Sequence, residues 1–425
     1  MSAWLTIIGL NEDGPSPAAR EALARAEVIF GGARHLELTQ AGARGRPWPV
    51  PFSIAPLLAC RGMQVVALCS GDPFWFGAGS LLAEALAPEE WVALPAPSNF
   101  ALAAAKLGWR LEDTICLGLH AAPFAQARAH LHDGARLLCL LRGGEAVAPF
   151  AAYLTELGFG ASRLWRLEAL GGVRERITQA SAAEMAVLGP GLSPVAVAVE
   201  VAGALGLPRT PGLADSLFAH DGQITKRPVR ALTLSALAPR PGEHLWDIGL
   251  GAGSISIEWL LAAPRTSASG VEADAARAAR ALENAAGFGV AQRLHVLERR
   301  APDGLETLAR PDAIFIGGGA SQALLERLWA LAPAGTRLVA NAVTLESEAL
   351  LTAWSAEKGG ALLRLELAEA AALGGQARLG AGQADRAMEC HVMRVAGFGL
   401  RAAVRTESLR AALAAAGGEV QALAG

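Results

Sequence analysis

Residues 245–254, Leu245-Trp246-Asp247-Ile248-Gly249-Leu250-Gly251-Ala252-Gly253-Ser254, set three alternating glycines between an apolar run and the helical segment SISIEWLL. A strand that enters a helix through such a turn leaves unpaired N–H groups at the helix start and lets a ligand approach the backbone closely. That unit belongs in a parallel sheet covered by helices, and the rest of the chain agrees with it. Short apolar runs alternate with helical segments from LTIIG to MECHVMRV. The predicted class is α/β with largely parallel sheets.

The 425 residues are enough for two to three domains of about 150 residues each. At GALGLPRTPG, residues 203–212, prolines and glycines concentrate and the strand–helix pattern restarts. Domains are therefore predicted at 1–205 and 212–395, the second a doubly wound, Rossmann-like sheet. Residues 396–425 form a tail with its own Gly-rich opening, read as a terminal helix or a fusion remnant. The composition is 52% hydrophobic with a mean hydropathy of +0.32, which would suit a membrane protein. However, the longest charge-free stretches, residues 91–105 and 185–199, contain proline and fall short of the roughly 18 to 20 apolar residues a bilayer requires. A net charge of −3 argues against a nucleic-acid partner. Five scattered cysteines without a C-x-x-C pair indicate neither a disulfide framework nor a zinc site, so no metal is expected. The start MSAWLTIIGL has no basic leader, and the expected compartment is the cytoplasm.

A dinucleotide fingerprint would need Gly or Ala at position 254, where this chain has Ser254. Asp247, two residues before the first glycine, instead points to S-adenosylmethionine (SAM). Glu272 ends the next strand, where a carboxylate can accept ribose hydroxyls. Gly317 and Gly318 follow the strand PDAIFI at the sheet edge where open α/β sheets bind ligands. The predicted SAM-binding set in this half is therefore Asp247, Gly249, Gly251, Gly253, Glu272, Gly317 and Gly318. The run GQITKRPVRALTLSALAPRPGEHLWDIGLGAGSISIEWL, with PDAIFIGGG and LVANAVTLES, resembles the decarboxylating precorrin carbon-15 methyltransferases of cobalamin biosynthesis over residues 212–395. A polycarboxylate macrocycle as substrate makes Lys226, Arg227 and Arg230 candidate carboxylate ligands, although they can also be a solvated helix start. Asn341, Thr344 and Glu346 are the candidate catalytic residues lining that substrate.

In the first half, three loops fall at strand ends: Gly9-Leu10-Asn11-Glu12-Asp13-Gly14, Ser70-Gly71-Asp72-Pro73 and Pro97-Ser98-Asn99. Loops at successive strand ends can converge on one ligand. Asp72 can also bond its own turn, and Ser98 can cap the helix that follows. With GGARHLEL (Arg34, His35), SGDPFWFG, LPAPSNFALAAAKLGW and GLHAAP (His120), these loops resemble the tetrapyrrole methylases, in particular the precorrin carbon-5 methyltransferases. The resemblance implies a bilobal domain holding SAM through Gly9, Asp13, Gly14, Ser70, Gly71, Asp72 and Ser98, with His120 near the substrate. Asn11 and Asn99 replace a usual Gly and Ser, and Ala121-Ala122 replace Gly-Arg after the histidine.

Together the resemblances imply one bifunctional SAM-dependent enzyme. It would methylate precorrin-6B at carbons 5 and 15 and decarboxylate the ring-C acetate to give precorrin-8. A non-catalytic SAM or tetrapyrrole sensor is the alternative; a nicotinamide reductase is disfavoured by Ser254 and Asp247. The expected partners are the tetrapyrrole, a second copy in a homo-oligomer, and pathway enzymes exchanging intermediates, with neither nucleic acid nor membrane.

Overall fold

A computed structural model describes residues 3–367, 370–373, 376–379 and 388–395. The tail 396–425 therefore lies outside the described residues. The chain divides into two compact units, Met1–Leu207 and Pro208–Gly425.

The first unit holds two sheets. One comprises β1 (Leu5–Leu10), β2 (Val28–Gly31), β3 (Gly45–Pro47), β4 (Val65–Ser70) and β5 (Trp91–Leu94), all parallel, in the order β3-β2-β4-β1-β5. The period-2 alternation splits its side chains between two cores. Leu5, Ile7, Val28, Phe30, Val65 and Ala67 pack on one face. Ile8, Leu10, Ile29, Val66 and Leu68 pack on the other, under Ala19, Ala22 and Leu23 of the helix Pro17–Arg25. Both faces are dry, which is why these strands read as continuous apolar runs.

The other sheet comprises β6 (Ile115–Gly118), β7 (Arg136–Leu140), β8 (Arg163–Glu168), β9 (Arg176–Ser181) and β10 (Val195–Glu200), in the order β6-β7-β10-β8-β9. Only β6 and β7 pair in parallel; the other pairings are antiparallel. This departs from the largely parallel expectation. Residues 169–175 between β8 and β9 are too few for a crossover, so the two strands can pair only as a hairpin.

The second unit has a seven-stranded sheet. It contains β11 (His244–Ile248), β12 (Ser267–Glu272), β13 (Leu294–Glu298), β14 (Ala313–Ile316), β15 (Arg337–Ala342), β16 (Ala361–Leu367) and, beyond the separate pair β17 (Ala370–Leu373) and β18 (Gln376–Leu379), β19 (Met388–Val395). The order is β13-β12-β11-β14-β15-β19-β16, parallel through β15, with β19 antiparallel to both its neighbours. From β11 the chain runs outward through β12 and β13, then returns to place β14 on the other side of β11. That reversal opens a crevice at the carboxyl ends of β11 and β14.

Candidate functional site

The crevice of the second unit is built by three glycines with different tasks. Gly249, Gly251 and Gly253 all hold positive φ, at 78°, 56° and 74°. A Cβ on Gly249 would stand 3.3 Å from the Gly318 nitrogen, and one on Gly317 would stand 3.2 Å from the Gly249 carbonyl, so these two permit the β11 and β14 loops to meet. A Cβ on Gly253 would lie 3.0 Å from that of Ala281, so Gly253 permits the helix Ser254–Ala262 to pack on the helix Ala275–Gly287. A Cβ on Gly251 would meet nothing closer than 3.9 Å and would enter open space.

Two carboxylates hold this turn. Glu272, at the end of β12, accepts from the Gly251 nitrogen at 2.8 Å and the Asp274 nitrogen at 3.0 Å. Each of its oxygens keeps a second lone pair for a ligand. Asp247 is buried, and its Oδ2 accepts from Ser256 Oγ at 2.7 Å, while its Oδ1 has no partner. Burial, with Glu272 nearby, pushes the Asp247 carboxyl up to about 7. An unsatisfied buried acceptor is costly unless something donates to it, so this atom fits the amino end of SAM. Open space at Gly251 and the lone pairs of Glu272 fit the same ligand.

Asn341 is half-buried and bonds Thr233, Nδ2 donating to Oγ1 at 3.1 Å. The Thr344 hydroxyl caps the helix Leu345–Lys358, accepting from the Ser347 nitrogen at 3.2 Å, and Glu346 is exposed in the first turn. Lys226 is half-buried and Arg227 is exposed. Arg230 is a correction. It is fully buried and paired through Nε to Glu258 at 2.5 Å and through Nη2 to Asp215 at 3.0 Å, with further bonds to the Thr225 and Leu213 carbonyls. Fully buried and held by all three of its nitrogens inside the protein, it is not presented to a substrate carboxylate. Asn284, overlooked in the sequence, gives Nδ2 to the Ala252 and Ala219 carbonyls, each at 2.9 Å, and ties the glycine turn to the segment before residue 226.

In the first unit, the carboxyl ends of β1, β4 and β5 converge. The Gly71 nitrogen donates to the Leu10 carbonyl at 2.8 Å and the Ala96 nitrogen to the Gly71 carbonyl at 3.3 Å. A Cβ on Gly9 would lie 1.9 Å from the Gly71 oxygen, and one on Gly71, at φ +58°, would lie 2.9 Å from Ser98 Cα. Only glycine permits this crossing. The local roles of Asp72 and Ser98 are both present: Asp72 Oδ1 accepts from the Phe74 nitrogen at 2.8 Å, and Ser98 Oγ accepts from the Ala101 nitrogen at 3.1 Å. Asp13 is exposed, beside Gly14 at the tip of a turn. Ser70 Oγ lies 2.9 Å from His35 Nε2 and accepts from Arg34 at 3.1 Å. Arg34 pairs with Glu12, which also pairs with Arg174 at 3.0 Å. Burial, with the Arg34 charge, pushes His35 down to about 4, so its ring is neutral at neutral pH. Glu12 and Arg174 lie 162 residues apart, which hid their pairing in the sequence. His120 lines a separate cavity of about 600 Å³ together with Arg142 and Glu145.

Two family models match, Tetrapyrrole (Corrin/Porphyrin) Methylases over residues 8–186 and Precorrin methyltransferase domain over residues 216–384. A Sinorhizobium protein named precorrin-6Y C(5,15)-methyltransferase [decarboxylating] is 49% identical over 387 residues, covering 88% of this chain and 93% of its own. The chain belongs to the precorrin-6Y C5,15-methyltransferase family. A Mycobacterium tuberculosis protein of the same name is 38% identical, covering 85% of this chain and 93% of its own. The solved C-terminal domain of precorrin-6Y C5,15-methyltransferase from Rhodobacter capsulatus is 47% identical, covering 45% of this chain and 100% of its own, with a TM-score of 0.42. Among the described residues no helix is long and apolar enough to cross a membrane.

Proposed function

We propose that this methyltransferase converts precorrin-6B to precorrin-8, the first unit methylating carbon 5 and the second methylating carbon 15 and decarboxylating the ring-C acetate. The observation that carries the reading is the 49% identity, across both units, to a relative whose name holds both methylations and the decarboxylation. A non-catalytic sensor would not need that combination. Within this reading the protein is cytoplasmic and homo-oligomeric and exchanges intermediates with neighbouring enzymes of its pathway.

SAM, when bound, supplies a methyl group on a sulfonium, whose positive charge is lost in the transfer. Little new charge needs stabilising, so the chain's task is to position the macrocycle and exclude water. In the second unit Asp247 Oδ1 would receive the amino end of SAM, Glu272 the ribose hydroxyls, and the backbone at Gly251 the close approach. In the first unit the convergent Gly9, Ser70–Pro73 and Ala96–Asn99 segments would hold the second SAM. Asn341, Thr344 and Glu346 would edge the macrocycle in the second unit, where a desolvated acetate would release CO2 while the electron pair of the broken bond passes into the conjugated ring and a proton is taken up in place of the carboxylate. Lys226 and Arg227 remain its candidate cations, without Arg230.

Mass spectrometry of the product from precorrin-6B and SAM tests this. Two added methyl groups and the loss of one CO2 are expected. Binding of both ligands with no mass change would favour the sensor.

A further inference from the structure

The loop after β6 presents His120 followed by Ala121 and Ala122, so the loop itself brings no cation. The neighbouring strand supplies one. Arg142, just beyond β7, donates from Nε to the His120 carbonyl at 3.3 Å, and its side chain lines the same cavity of about 600 Å³ as His120, Ala121 and Ala122. Arg142 is exposed and forms no ion pair among the described residues. Its charge reaches the histidine, whose imidazole is held below its ordinary pKa first by burial and then by that guanidinium. Glu145 is the single acidic group in the cavity wall.

The cavity adjoins the loop that follows β4. Phe76 holds φ +59°, an unusual conformation for a bulky residue, and sets its ring edge-on to His120 with centroids 6.5 Å apart. Gly118 makes room for it: a Cβ there would lie 2.8 Å from the Phe76 ring. Phe74, Trp75 and Phe76 are 41%, 39% and 52% exposed, so this loop offers apolar rings, and Phe76 borders the histidine whose carbonyl Arg142 holds. A flat conjugated ring with carboxylates on its rim matches both features.

We propose that Arg142 is a specificity-determining residue of the first unit, receiving a rim carboxylate of the tetrapyrrole in the cavity beside His120, whose ring the exposed Phe76 flanks. This rests on the reading of the first unit as a tetrapyrrole methylase. Arginine suits the task because its planar fork meets both carboxylate oxygens, and its bond to the His120 carbonyl fixes the fork in advance.

The test is carbon-5 methylation by the full chain, with precorrin-6B varied at saturating SAM. Arg142→Ala is expected to raise KM for the tetrapyrrole by about 10- to 100-fold, the worth of one charge-assisted hydrogen bond, with kcat within about twofold and SAM affinity unchanged. Arg142→Gln keeps a donor for the His120 carbonyl without the charge, and the same rise in KM is expected. Adding Ala122→Arg to Arg142→Ala should recover much of the loss, and Glu145→Gln should lower KM. An unaltered KM in folded Arg142→Gln, or a fall confined to kcat, overturns the proposal while leaving the methylase reading intact. A wild-type chain that neither binds nor methylates the tetrapyrrole overturns both.

Discussion

Arg230 shows what a single residue can conceal. In the sequence it belongs to a basic cluster, KRPVR, and looks available for an anionic substrate. On the helix Arg227–Leu237 it shares a stripe with buried Val229, Thr233, Leu234 and Leu237. Its partner Glu258 is the one charged residue in SISIEWLL, a second sign of a buried pair, but local periodicity cannot connect positions 28 apart. Replacing Arg230 by Ala leaves the buried Glu258 carboxylate with its backbone donors Gly212 and Leu213 but no counter-charge, and is expected to lower the stability of the second unit by about 3 kcal/mol in urea unfolding. Arg230→Lys should rescue little of this, because an ammonium cannot reproduce the fork that spans two carboxylates and two carbonyls. Asp247 gives a prediction in pH. Its folded pKa, about 7, stands above its ordinary value of 3.8, so its neutral form stabilises the fold below that value and the contribution is lost as pH rises toward 7. A cationic ligand favours the ionised form, so SAM affinity at the second unit should rise with pH through about 7 and then level off. Calorimetric titrations across that range should show the slope in the wild type and a flat profile in Asp247→Asn.

At the scale of elements, the glycine turn was legible because a strand, three alternating glycines and a helix follow one another without interruption. The separate duty of each glycine was not, since it depends on what faces it from another loop or helix. Gly253→Ala forces contact with Ala281 and is expected to lower the melting temperature of the second unit. Gly251→Val places its side chain in open space at φ +56°, costing roughly 1–2 kcal/mol of backbone strain, and should abolish SAM binding there with the fold retained. Differential scanning calorimetry paired with SAM titration separates the two; comparable SAM affinity in folded Gly251→Val would remove the turn from the site. Gly71→Val is a different experiment, because its Cβ points at the Ser98 backbone and displaces a loop crossing. The parallel sheets were similarly readable from apolar runs, whereas the antiparallel pairings in the second sheet of the first unit were not. RLWRLE and RITQAS alternate no differently from parallel strands; only the short link between them betrays the hairpin.

For the whole molecule, the division at Leu207 and Pro208 sets two unlike folds on one chain. Each has glycine-permitted loops at the carboxyl ends of parallel strands, and each is expected to bind SAM. Isothermal titration should therefore give two SAM per intact chain and one for each of the fragments 1–207 and 208–425. The division of labour is decided by mixing defective chains. A Gly251→Val chain should still methylate carbon 5 but fail at carbon 15 and at decarboxylation, if those two reactions share a pocket. A Gly71→Val chain should fail at carbon 5 alone, because its displaced loop lies in the other unit. Either block can starve the step that follows it, so the product of one mutant by itself does not separate a dead site from an absent substrate. Mixing the two proteins removes that ambiguity, since each supplies the site the other lacks and diffusing intermediates can visit both. The mixture is expected to restore the doubly methylated, decarboxylated product. A folded Gly251→Val protein that adds both methyl groups unaided, or a mixture of two folded mutants that stays inactive while each binds SAM once, would count against two sites working independently on one chain.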